Sequence, residues 1–204
     1  IVGFACTKSI SDCYNAGAVR INEQGNSSAT QVAGGIAGFA GFNDTYPLQI
    51  SNCYNVGSVT AANANAMLGG IVGWSRYNSV GITNCYYLTG TAGQVYGHGT
   101  ATVTNTTEKS AFDFANGGVN GGVLALLKAG ERDNNADPWA DECKYLDAAG
   151  KTLPVFKGQG DTHEHNGDWT SNGDGTHSRC CTCNAVETEK CSGGKATCKD
   201  KAVC

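Results

Sequence analysis

The chain has 204 residues, enough for one large domain or two small ones, and it carries 29 glycines against only 3 prolines. No Gly-X-Y period is present, so the glycines serve tight turns and close backbone approach rather than a collagen helix. A net charge of −4, with 16% charged residues and no basic stripe, argues against nucleic-acid binding, and no apolar run approaches the roughly 18 residues of a membrane-inserted helix.

The sequence opens at Ile1-Val2-Gly3, without a methionine or a secretory leader, which leads to the expectation of a processed or excised piece of a longer protein. The 11 cysteines are unevenly placed. Cys6, Cys13, Cys53, Cys85 and Cys143 are scattered over the first three quarters, whereas Cys180, Cys181, Cys183, Cys191, Cys198 and Cys204 crowd the end. Two cysteine densities imply two architectures.

From the start of the chain, two landmarks recur in the same order. The first is Ile1-Val2-Gly3, then Gly34-Gly35-Ile36-Ala37-Gly38, then Gly69-Gly70-Ile71-Val72-Gly73. The second is Ile10-Ser11-Asp12-Cys13-Tyr14-Asn15, then Ile50-Ser51-Asn52-Cys53-Tyr54-Asn55, then Ile82-Thr83-Asn84-Cys85-Tyr86-Tyr87. After the first two cysteines come Ala16-Gly17-Ala18-Val19 and Val56-Gly57-Ser58-Val59. The first landmark keeps a constant period while the gap to the second varies, so coil length is fixed and connecting loops are not. Each repeat predicts two or three short strands separated by turns, with period-2 alternation placing Ile on one face and Ser or Asn on the other. One such coil cannot bury its apolar face, but stacked coils can. Ile36, Ile71, Ile50, Ile82 and Val59 are therefore expected in rows inside, with the paired glycines at corners where a side chain would clash.

The Gly-Gly-Ile-Val-Gly and Ile-Ser-Asn-Cys-Tyr-Asn-x-Gly-x-Val motifs together resemble the GLUG-type repeat over residues 1–90. Such repeats occur in large surface proteins of gut and oral bacteria, including adhesins and the non-catalytic regions of IgA-cleaving metallopeptidases. The resemblance implies an extracellular, cell-surface setting and flanking domains in a longer parent protein. The third copy departs after Cys85, as a terminal coil would, and the first lacks its Gly-Gly, which leads to the expectation of further repeats upstream.

Beyond residue 90 the repeat is lost from view. Val123 to Lys128 forms the best helical stretch, ended by Gly130. Asp137-Pro138-Trp139 reads as a turn with a large aromatic and Leu153-Pro154-Val155-Phe156 as a short strand. A helix plus a strand is the expected cap for an open stack end. The fold expected is all-β: a parallel β-solenoid of about three coils over residues 1–104, its cap over 105–158, and a small Cys/His-rich module over 159–204.

That last module runs through His163, His165, Trp169, Asn172-Gly173-Asp174-Gly175-Thr176-His177 and the crowded cysteines. It resembles a short repeat, often in tandem, of surface proteins of Gram-positive anaerobes. His177, Cys181, Cys183, Cys191 and Cys198 form a candidate zinc set, which would replace a missing apolar core. Disulfides among the six cysteines are the competing chemistry, free thiols a third, and the spacing leaves all three open. The Asn172 to Thr176 stretch resembles part of a calcium loop but lacks the closing bidentate Glu, and reads as a tight turn.

Candidate binding residues fall on the repeats. Trp74, Arg76 and Tyr77 follow the third Gly-Gly-Ile-Val-Gly, in a loop on a rigid scaffold where specificity usually sits. Tyr14, Tyr54 and Tyr86 form a row that either faces outward as a stacking surface for a host glycan or glycoprotein or packs beneath loops and cap. The segment from Gly41 to Leu48 is a third candidate. Cys13, Cys53 and Cys85 read as small apolar core residues, with a Cys6–Cys13 pair as a hypothesis. Catalysis lacks support: Asp12, Glu23 and Asp44 are scattered, His98 has no evident partner, and no Ser/His/Asp, Cys/His or His-Glu-x-x-His signature occurs. The expectation is a non-enzymatic adhesion or display region, with an inert stalk or an accessory region of a larger secreted hydrolase or peptidase as alternatives.

Overall fold

The computed structural model describes residues 2–6, 8–22, 30–41, 47–116, 121–132, 136–146, 149–159, 169–180 and 186–190. The chain divides into two compact units, residues 1–144 with 152–160 and residues 145–151 with 161–204. The protein is mostly β, with two short helices among the described residues.

The first repeat contributes β1 (Val2–Ala5), β2 (Ser9–Ser11), β3 (Tyr14–Asn15), β4 (Val19–Ile21) and β5 (Val32–Gly34). The second contributes β6 (Ala37–Ala40), β7 (Leu48–Ser51), β8 (Tyr54–Asn55), β9 (Val59–Ala61) and β10 (Met67–Gly69). The third gives β11 (Val72–Ser75), β12 (Val80–Thr83) and β13 (Tyr86–Leu88). Equivalent strands pair in parallel: Val2, Ala37 and Val72 are in register, as are Ile10, Ile50 and Ile82, and Tyr14, Tyr54 and Tyr86. Each short strand has its hydrogen-bond partners one repeat away, so a single repeat has no sheet of its own.

Pairing does not stop where the repeat fades. Strands β14 (Tyr96–Gly99), β15 (Thr102–Thr104) and β16 (Thr107–Lys109) extend the three sheets in parallel, giving the orders β1-β6-β11-β14, β2-β7-β12-β15 and β3-β8-β13-β16. The motifs fade near residue 90, yet parallel pairing continues and runs past the expected boundary at residue 104 to β16. The Val95 carbonyl accepts backbone hydrogen bonds from Ile71 and Val72, and Val103 lies opposite Ile82. Backbone pairing requires neither the Gly-Gly nor the cysteine, so the fourth repeat survives with its landmarks worn away and its loops shortened.

The rows inside are those the alternation predicts. Ile36, Ile50, Ile71 and Ile82 have no exposed surface and Val59 has 3%. Full burial of each such side chain is worth about 1.5–3 kcal/mol. The glycine pairs are there for contact: a Cβ on Gly35 would stand 2.3 Å from Asn55 Cγ, and one on Gly70 would stand 2.4 Å from Tyr87 Cγ. Asn15 and Asn55 form an interior amide ladder, Asn15 Nδ2 donating to Asn55 Oδ1 at 2.8 Å, and each amide also closes a local turn on Gly17 or Gly57.

The segment after β16 contains α1 (Ala111–Ala115), begun by a Ser110/Asp113 capping box, α2 (Val123–Lys128), and the paired strands β17 (Trp139–Leu146) and β18 (Lys151–Phe156). Among the described residues it does not sit over the end of the stack, as expected of a cap. It lies along one flank, reaching Tyr14 of the first repeat, Tyr54 of the second and Asn84 of the third. The reason is the tyrosine row: its rings form an apolar strip along the stack, and Phe114, Trp139 and Phe156 cover it.

The second unit contains a three-stranded antiparallel sheet, β19 (Thr170–Ser171), β20 (Thr176–Cys180) and β21 (Val186–Lys190). The turn between β19 and β20 has positive φ at Gly173 and Gly175, and Asp174 Oδ1 accepts from the backbone N–H of Thr176 at 2.9 Å. It is the tight turn that its sequence predicts.

Candidate functional site

The corners that lead into β3, β8, β13 and β16 are built alike. Asp12, Asn52, Asn84 and Asn105 have φ of 50°, 54°, 53° and 47°, the left-handed region that Asn and Asp tolerate best after glycine. The next residue, Cys13, Cys53, Cys85 or Thr106, turns back and donates its S–H or O–H to the carbonyl two residues earlier, at 3.0–3.3 Å. Cys53 and Cys85 are fully buried, and Cys6 and Cys13 are free, so the proposed Cys6–Cys13 pair is not formed. Burial pushes the Cys53 thiol up; the hydrogen bond with Cys53, then burial, raises that of Cys13. These protonated thiols suit packing and turn closure, not nucleophilic attack.

Tyr54 and Tyr86 do not form an exposed binding surface. Tyr54 has no exposed area, its ring stacks on Tyr14 at 5.0 Å, and its hydroxyl donates to the Pro154 carbonyl at 2.5 Å. Tyr86 is 3% exposed and donates to Asn84 Oδ1. An aromatic strip that size is too costly to leave in water when a chain segment can cover it.

Trp74 takes a different place. It lies on β11, not in a loop, in register with Phe39, Phe4 and His98. The four rings form a ladder across β1-β6-β11-β14, with centroids 5.1 Å apart for Phe4–Phe39 and Phe39–Trp74 and 5.6 Å for Trp74–His98. Phe4 is 49% exposed, His98 is exposed, and Phe39 and Trp74 are half-buried. Beyond the strand end, the exposed Arg76 guanidinium lies 5.5 Å from the Tyr77 ring centroid. The structure thus makes Trp74 the third rung of a surface row that also contains Phe4, Phe39 and His98, with Arg76 and Tyr77 just beyond the end of its strand. The signal was present in the sequence: Gly3-Phe4, Gly38-Phe39 and Gly73-Trp74 each follow the inward residue of the first landmark, and Gly97-His98 follows Tyr96 at the same register position.

The amide row at the corners is the other organised feature. Asn84 Nδ2 donates to Asn52 Oδ1 at 2.7 Å and to the Leu126 carbonyl at 3.1 Å, and Asn52 Nδ2 donates to the Glu131 carbonyl at 3.0 Å. Arg132 completes the row, its Nη2 2.8 Å from Asp12 Oδ1 and 2.8 Å from the Leu127 carbonyl. The corner residues therefore dock the C-terminal end of α2.

Of the candidate zinc set, Cys181, Cys183, Cys191 and Cys198 lie outside the described residues. His177 is 8% exposed, with its ring 4.4 Å from that of Trp169. Most of the segment from Gly41 to Leu48 also lies outside them. Among the described residues, no group of three or more His, Cys, Asp or Glu is placed to hold a metal ion. The chain matches no protein-family model, no curated protein and no solved structure.

Proposed function

We propose that the chain is a β-solenoid region of an extracellular bacterial surface protein of the GLUG-repeat kind, acting in adhesion or display rather than catalysis. Its partner is a host glycan or glycoprotein, bound at the face that presents Trp74, Arg76 and Tyr77. The observation that carries this reading is the ladder of Phe4, Phe39, Trp74 and His98, in register on four parallel strands and open to solvent at Phe4 and His98. Aromatic rings on a rigid sheet lose little entropy on binding and stack on the apolar faces of sugars or on partner side chains. The parallel register of equivalent strands supports the solenoid reading, since each repeat adds a layer without disturbing the last.

The test is binding of the full chain, displayed multivalently so that avidity amplifies weak contacts, to an array of host glycans and glycoproteins. A specific hit is expected, lost on Trp74→Ala or Tyr77→Ala. A blank array sinks the adhesin reading and leaves an inert stalk, or an accessory region of a larger secreted hydrolase or peptidase.

A further inference from the structure

Two grooves run along the stack on a different face from the aromatic ladder. One has a volume of about 720 Å³ and is lined by Thr83, Asn84, Thr104, Asn105 and Lys109 on the sheet side. The other, about 750 Å³, is lined by Lys8, Ser9, Ser11, Asp12 and Gln49. They adjoin at Ser51, Asn52 and Glu131, and between them their linings touch all four repeats. The far wall is the C-terminal end of α2 and the chain beyond it, with Leu126 and Gly130 on the first groove and Arg132 and Pro138 on the second.

The floor of these grooves is a hydroxyl row. Ser11, Ser51, Thr83 and Thr104 occupy one register position on β2, β7, β12 and β15. Their neighbours Ile10, Ile50, Ile82 and Val103 take the opposite face, so alternation turns every one of these hydroxyls outward. Successive hydroxyls are one strand apart, about 4.8 Å. No side-chain hydrogen bond within the described residues uses them. A row of unused donor–acceptor groups along a groove, repeated at the length of about one pyranose unit, matches a chain that carries hydroxyls at a similar repeat.

Charge narrows the ligand. The floor is neutral, Lys8 and Lys109 lie towards opposite ends, and Glu131 lies midway. Arg132, in the wall, is already engaged by Asp12 and by helix carbonyls. A polyanion would meet Glu131 midway, and a polycation would meet the lysines. The floor is the outer face of a sheet whose strands hydrogen-bond to one another, so along the groove it offers a peptide side chains rather than a backbone row to pair with.

We infer that this groove binds a linear, neutral oligosaccharide laid along the stack, one sugar per repeat, with the Ser11-Ser51-Thr83-Thr104 hydroxyls as its hydrogen-bonding floor. It shares the ligand class of the proposed function but not its site. The test titrates the full chain with soluble gluco-, manno- and N-acetylglucosamine oligosaccharides of two to six units, by calorimetry and by amide NMR shifts. Affinity should rise with length and level off at about four units, as the four floor strands are filled. The combined Ser51→Ala, Thr83→Val, Thr104→Val variant should weaken binding by at least about tenfold. Thr104→Trp, an exposed strand substitution that leaves the core alone, should block the path outright. Trp74→Ala should leave this titration unchanged. Binding by none of the probes at millimolar concentration overturns the inference, as does binding indifferent to both groove variants. Loss with Trp74→Ala alone returns the site to the ladder and overturns the groove while the adhesin reading stands.

Discussion

The corners before β3, β8, β13 and β16 each rest on one residue in the left-handed region, and at Asp12, Asn52 and Asn84 the side chain there does a second job. Asn52 holds φ at 54° while its amide reaches the Glu131 carbonyl and accepts from Asn84. Glycine supplies the backbone angle without the amide; alanine supplies neither. Asn52→Gly should therefore cost only the lost hydrogen bonds, about 1–2 kcal/mol. Asn52→Ala should be less stable than Asn52→Gly by about 1 kcal/mol, the reverse of the helix order. Urea midpoints of the two variants measure this, and equal midpoints would refute the strain argument. The thiols at the next position are explained the same way: Thr106 replaces cysteine and makes the same bond to the carbonyl two residues back, so the group is selected as a small turn-closing donor.

At the scale of elements, the flank is held by its fit to the corner row and the tyrosine strip, because α2 is far too short to be stable alone. Its last carbonyls need donors, and Arg132 supplies them from the C-terminal end, where a cation also suits the helix dipole. The first repeat has Asp12 where the second and third have Asn52 and Asn84, and that is the position Arg132 meets. Arg132→Met removes the partner of Asp12 and the cap of α2 together. With the Arg132 side chain 6% exposed and that of Asp12 20% exposed, the loss should be about 2–3 kcal/mol, below that of a fully buried pair. Chemical denaturation checks the magnitude. In a double-mutant cycle Asp12→Asn should cost little once Arg132 is gone.

At the scale of the whole first unit, buried phenols and thiols tie stability to alkaline pH. Burial raises the Tyr54 phenol well above its ordinary 10.0 and takes Tyr86 to about 12. A group whose folded value is raised gives its full stabilisation below the unfolded value and loses it as pH rises through the folded one. Cys53, raised by burial from an ordinary 9.0, acts in the same sense. Stability should be level from neutral pH to about 9 and fall steeply between about 10 and 12, with tyrosinate absorbance appearing together with unfolding. Tyr54→Phe should flatten the part of that fall due to Tyr54, while costing about 1–2 kcal/mol at neutral pH through the unpaired Pro154 carbonyl. Tyrosinate forming at Tyr54 in the folded protein near pH 10 would refute the burial argument.

The sequence by itself determined the period of the stack, because a strand that buries one face must alternate and a repeat that stacks must recur. Ile36, Ile50, Ile71 and Ile82, the glycine pairs and the corner cysteines were all legible from that rule. The aromatic ladder left a signal in the Gly-aromatic pairs, but the repeat pattern alone put Trp74 in a loop, and only the register shows that the four rings share one row. Other features were settled only by the tertiary structure. The fourth repeat is held by backbone hydrogen bonds, which leave no mark on side-chain identity. Whether the tyrosines face water or protein depended on where a distant segment docked, and Phe114, Trp139 and Phe156 are 60 or more residues from Tyr54 in the chain. The hydroxyl groove likewise exists only because that segment forms its wall. Local alternation is written residue by residue, whereas the choice of which face a remote segment covers is made by the packing of the whole unit.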